Sequence, residues 1–150
     1  MRIRRFAPVF AVLTLVLMPR VGMAQGTQPA KKKPIVTMGQ NYPNPFNPEA
    51  WIPFTVGDFP SCSESGKQYR VNLKVFNILA QVVAVPKLTA SSAGVAGGQR
   101  LENATLPCGQ YTAYWNGKYL ESSREVASGI YIFSIDVDGS KATRRATVAK

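Results

Sequence analysis

The chain has no histidine among its 150 residues. The commonest general base and metal ligand is therefore missing, and neither a Ser-His-Asp nor a Cys-His arrangement can be assembled. Cysteine is scarce as well, with only Cys62 and Cys108. Two cysteines without histidine do not make an ordinary zinc site, and no Cys-x-x-Cys spacing is there for redox work. Acids number 8 against 18 Lys and Arg. Four of them, Glu49, Asp58, Glu64 and Glu102, fall in predicted loops or near element ends. Gly94-Val95-Ala96-Gly97-Gly98 is glycine-rich but lacks the Lys-Ser/Thr and the following helix of a phosphate loop. These absences point away from an enzyme: no catalytic residue, no cofactor and no metal are expected.

Long apolar runs are also missing, apart from residues 7–18. Arg2, Arg4 and Arg5 precede that run, and Gly22-Met23-Ala24 follows it with small residues where a signal peptidase reads. This order predicts a signal peptide over residues 1–24 and an exported chain starting at Gln25, located outside the cell, on its surface or in the periplasm. The run is shorter than the roughly 20 residues a spanning helix needs. No transmembrane segment is expected after cleavage. Without the four arginines of residues 1–24, 14 basic residues face 8 acidic ones, a net +6. Lys31, Lys32 and Lys33 make up half of that surplus. No Arg/Lys stripe interleaves with aromatics, so specific nucleic-acid binding is not indicated. In an exported protein the even cysteine count predicts one disulfide, Cys62–Cys108. It would close a loop of about 47 residues and stabilise by up to ~4 kcal/mol in the chain-entropy model.

Residues 25–39 are polar and lysine-rich, with Pro29 and Pro34, and read as a flexible linker. Residues 40–150 then form a domain of the size of an immunoglobulin-like sandwich. Asn41 to Pro48 holds three prolines, two of them directly after Asn. Proline fixes φ and holds the preceding residue extended, so this is a stiff, irregular opening segment, anchored by Tyr42 and Phe46. Residues 50–56 alternate, with Ile52, Phe54 and Val56 on one side; Pro53 predicts an edge strand or a nitrogen that faces outward. Tyr69, Val71, Leu73 and Val75 alternate with Arg70, Asn72 and Lys74. Residues 78–81 turn, and 81–85 pair back. Residues 88–107 are Ala/Ser/Gly-rich and read as a long loop. Strands follow at 110–115, 127–137 and 141–148, with Asn116-Gly117 and Asp138-Gly139 as turns. With turn signals every 8–12 residues and no amphipathic helix, the expected fold is all-β, an immunoglobulin-like antiparallel β-sandwich of about seven strands.

Three patterns invite a functional reading. Asp136-Val137-Asp138-Gly139 opens like a calcium loop but lacks the later ligands, so an Asp-Gly hairpin turn is the better account. Asn103-Ala104-Thr105 is a glycosylation sequon by pattern, relevant only in a host that uses it. Tyr111, Tyr114, Trp115 and Tyr119 could stack on a sugar ring, although alternating aromatics on a strand more often fill a core.

The motifs in sequence resemble one family. QNYPNPFNP at 40–48 followed by WIPFTV, VNLKVFNILAQVV at 71–83, YTAYWNGK at 111–118, VASGIYIF at 126–133 and ATRRATVAK at 142–150 are similar to the type A C-terminal sorting domain of the type IX secretion system. The same motifs resemble the immunoglobulin-like domain of the flagellar hook-capping family. In this sequence Ala80 stands where the family often has Gly, Asn116 where Asp is common, and Ser123 where Gly is frequent. The resemblance implies an exported, non-enzymatic module for secretion or surface attachment whose partners are secretion or cell-envelope proteins. A free-standing module fits best, since only the predicted linker separates leader and domain. Alternatives are a structural assembly module or a carbohydrate-binding module. The positions carried by resemblance are Pro43, Asn44, Pro45, Phe46, Asn47, Trp115, Gly117, Ser128, Gly129, Tyr131, Arg144, Arg145 and Lys150.

Overall fold

A computed structural model describes residues 34–91, 93–120 and 122–150. The predicted leader and most of the predicted linker lie outside the described residues. The described chain forms nine strands: β1 (Val36–Met38), β2 (Ala50–Val56), β3 (Gln68–Phe76), β4 (Val82–Ala84), β5 (Lys87–Ser91), β6 (Ala104–Pro107), β7 (Gly109–Trp115), β8 (Gly129–Val137) and β9 (Ser140–Val148). One antiparallel sheet has the order β1-β2-β7-β5. The other has β4-β3-β8-β9, with β6 also paired to β3. Strict alternation buries one face of each sheet in a common core. Ile52, Phe54 and Val56 enter it from β2, Val71, Leu73 and Val75 from β3, and Phe133, Ile135 and Val137 from β8. No helix among the described residues is long and apolar enough to cross a membrane.

The strand count exceeds the expected seven for identifiable reasons. β1 lies inside the stretch read as linker, and its three residues are too few for a period to show in the sequence. β5 and β6 lie inside the stretch read as one long loop. There Leu88, Leu101 and Leu106 are buried, but the Gly- and Ser-rich spacing between them hides the alternation. β2 is not an edge strand, because β1 covers half of it. Pro53 sits one step beyond the last β1 pair, Met38↔Phe54. Its carbonyl accepts from Gly39 N–H at 2.8 Å on that side, so its lack of an N–H falls where the β1 ladder ends. The Asp138-Gly139 turn has positive φ at both residues, 47° and 85°, as a two-residue hairpin loop requires. The carboxylates of Asp136 and Asp138 accept from the N–H groups of Gly139 and Arg70, which accounts for both acids as turn and strand anchors.

The Cys62–Cys108 disulfide is formed, with 5.6 Å between the Cα atoms. It lies at the end of the sandwich where Val56 faces Gly109. The opposite end, where Ala50 faces Trp115 and Gly129 faces Val148, holds the C-terminal end of the last strand and the proline-rich segment.

Candidate functional site

The segment 41–48 lies along the outer edge of β9. Phe46 N–H donates to Thr147 O at 2.9 Å, and Ala149 N–H donates to Phe46 O at 3.1 Å. The Asn44 side-chain oxygen accepts from Thr147 N–H at 3.0 Å. Gln40 adds a longer bond to Arg145 O, 3.3 Å. Prolines cannot supply a regular ladder, so the segment closes this edge with one isolated bridge residue and two side chains. Asn41 is the one buried polar residue among those described, and its amide donates to Pro43 O at 2.7 Å, bracing the turn from inside.

Phe46 points inward and meets two other rings. Its centroid is 5.5 Å from Trp115 and 6.4 Å from Phe133. Trp115 in turn lies 5.7 Å from Tyr131 and 6.0 Å from Phe133, both edge-on. The polar handles of these rings are satisfied: the indole N–H donates to Lys118 O at 2.9 Å and Tyr131 O–H to Ala127 O at 3.0 Å. Burial pushes the Tyr131 hydroxyl above its usual pKa. Tyr42, expected as a second inward anchor, is 52% exposed instead. The bridge Tyr42↔Trp51 places it on the outer face, where its ring stacks on Trp51.

Gly117 joins this end from the β7–β8 connection. It has φ +69°, and a Cβ there would come within 2.2 Å of the Pro48 carbonyl oxygen. Only glycine permits that approach. Gly117 O then accepts from Val126 N–H at 2.8 Å. Ser128 Oγ accepts from Lys150 N–H at 3.1 Å, while Lys150 Nζ reaches Glu125 at 2.7 Å. Gly129 opens β8 opposite Val148.

The positions singled out from sequence thus meet at one end of the sandwich, although they come from four separate stretches of chain. Phe46, Trp115 and Tyr131 form its interior. Asn44, Gly117, Ser128 and Gly129 set its main-chain geometry. Pro43, Pro45, Asn47, Arg144, Arg145 and Lys150 form its exposed surface. Cys62 and Cys108 lie at the other end. Lys150 is engaged by Glu125, whereas neither Arg144 nor Arg145 has a carboxylate within ion-pair distance among the described residues. Tyr111 and Trp115 are buried in the core, so the stacking platform envisaged around Trp115 has no open ring face there. Among the described residues no three acids or cysteines gather in a way that could hold a metal.

The outer face of the first sheet pairs Tyr114 with an aromatic that the sequence did not group with it. Trp51 lies 5.6 Å from Tyr114, and the Tyr114 hydroxyl donates to Glu49 at 2.7 Å. Burial, and then the neighbouring carboxylate, push the Tyr114 pKa up to about 12. Alternation alone places Trp51 opposite Ile52. Its pairing with Tyr114 becomes visible only once the β2–β7 register is known.

No family model matches the sequence, and neither a curated protein nor a solved structure matches it significantly.

Proposed function

We propose that this protein is an exported, non-enzymatic, immunoglobulin-like β-sandwich module that engages secretion or cell-surface machinery, as type A C-terminal sorting domains do. The observation that carries this reading is the convergence just described. The proline-rich segment, the Asn116-Gly117 turn, the Ser128-Gly129 strand start and the terminal strand resemble the family one by one, and they assemble into one continuous end of the fold. Motifs that belonged to unrelated local structures would have no reason to meet. The contact elements are residues 126–131 and the two arginines of β9, Arg144 and Arg145, that have no carboxylate within ion-pair distance among the described residues. Docking would combine surface contact with the partly open β9 edge.

The test is a graft of residues 34–150 behind a secreted reporter in a host that has the type IX system. The graft begins at 34 because β1 belongs to the first sheet. Appearance of the reporter outside the cell, and its loss with Arg144→Gln/Arg145→Gln, is the expected result. A reporter that stays in the periplasm removes the sorting reading.

A further inference from the structure

The outer face of the second sheet presents an apolar row that the fold does not use. In register across all four strands stand Val82 of β4, Phe76 of β3, Ile132 of β8 and Arg145 of β9. Three neighbouring apolar side chains thus end in a cation. Ile78 continues the row at the β3–β4 turn, and a shallow trough of about 450 Å³ opens between Phe76, Ile78, Ile132 and Thr143. Its walls are mostly apolar.

The turn itself is unusual in its chemistry. Ile78 is 77% exposed and Leu79 73% exposed, although turns normally take polar residues. The turn geometry does not need them. Asn77 holds it, its side-chain oxygen accepting from the N–H groups of both Leu79 and Gln81 at 3.0 Å. Two branched aliphatics in water gain no burial energy for the fold. Single exposed apolar residues are ordinary, but a continuous patch marks an interaction surface.

Two cations flank the apolar row. Lys74 lies in the adjacent row with Ser134 and Thr143, and Arg145 ends the apolar row. Among the described residues, the acids that line the neighbouring cavity with Phe76 and Lys74 are Glu102, Asp136 and Asp138, and they already engage Arg100, Gly139, Lys141 and Arg70. We infer that the trough between the β3–β4 turn and β9 is a docking site for an extended segment of a partner protein that carries aliphatic residues followed by acidic ones. The row spans three strand spacings, or about 14 Å, which an extended segment covers in four to five residues. Aliphatic side chains of the segment would lie over Phe76 and Ile132, and its carboxylates would meet Arg145. A lipid surface fits less well, because the apolar surface continues from the turn into a concave trough and the cation stands at one end of the row.

The test uses the full chain, labelled for amide NMR. The probes are an acetylated, amidated hexapeptide of serine, three aliphatic residues and two glutamates, the same peptide with glutamines for glutamates, and vesicles of phosphatidylglycerol and phosphatidylcholine. The expected result is saturable shifts at Phe76, Ile132 and Arg145 with the glutamate peptide, and weaker binding of the glutamine peptide. Ile78→Ser/Leu79→Ser should weaken binding about tenfold, the scale of losing a hot-spot pair. Arg145→Gln should abolish the preference for glutamate. All three side chains are exposed, so the variants should melt like the parent. Absence of saturable shifts, equal affinity for the two peptides, or shifts that arise only with vesicles would each overturn the assignment. The reporter graft can fail while this site binds, and the reverse, so the two readings are separable.

Discussion

At one end of the sandwich, beside the Val56–Gly109 pair, the chain is closed by the Cys62–Cys108 bond. At the other, beside Ala50–Trp115, it is closed by four packed rings and a segment that caps the edge of β9. The two closures act on different states. A cross-link chiefly restricts the unfolded chain, whereas ring packing lowers the folded state by burial and dispersion. The disulfide end has few of the residues that the family resemblance picks out, and the ring end has nearly all of them. The end that carries the candidate contacts is thus held by side-chain packing that depends on every part being in place.

This comparison can be broken most forcefully at Trp115. Trp115→Ala removes the ring that touches Phe46, Tyr131 and Phe133, and leaves Lys118 O without its indole donor. A loss of about 3–5 kcal/mol is expected from urea unfolding, with the slope against denaturant unchanged. A loss under about 1 kcal/mol would mean that the ring cluster is not what holds this end together.

Removing the other closure should cost less and look different. Cys62→Ser/Cys108→Ser should lower stability by about 2–4 kcal/mol. Because the unfolded chain is then free to expand, the slope against denaturant should rise. An unchanged slope with the same loss would place the disulfide's effect in the folded state and erase the contrast between the two ends.

Much of the core was legible from the sequence. Alternation gave β2, β3, β7, β8 and β9 to within two residues at each end, because each has seven or nine residues and one buried face. β1 was missed because three residues contain barely one period, and β5 and β6 because glycines and serines separate their buried leucines. Tyr42 was placed inside because an aromatic next to proline looks like an anchor. Its partner Trp51 lies on the outer face, and only the register shows that. Ala80 takes a left-handed φ of +59°, a region that favours glycine, which its apolar side chain gives no sign of. The capping of Thr147 by Asn44, and the row from Val82 to Arg145, depend on pairings between distant stretches that no local pattern encodes.

The finest test of the ring end concerns its outermost tie. Lys150 donates to Glu125 at 2.7 Å, and this hydrogen bond, followed by the charge of the same ammonium group, holds the Glu125 carboxyl below its ordinary value of 4.5. A carboxylate whose pKa is depressed by folding contributes stability above its unfolded pKa, and loses that contribution as pH falls through the lower, folded value. The pair is solvent-exposed, so its contribution should be the smallest of the three and should fade in about 1 M salt, where the screening length is near 3 Å. Lys150→Ala keeps the main-chain N–H that donates to Ser128 and removes only the ammonium group. The Glu125 titration, followed by carboxyl-carbon NMR, should then move up toward 4.5, and the acid limb of the melting curve should lose the part that depends on this pair. A Glu125 midpoint that does not move would show that Lys150 is not held there in solution. It would then join Arg144 and Arg145 as a third cation at this end without an acidic partner among the described residues.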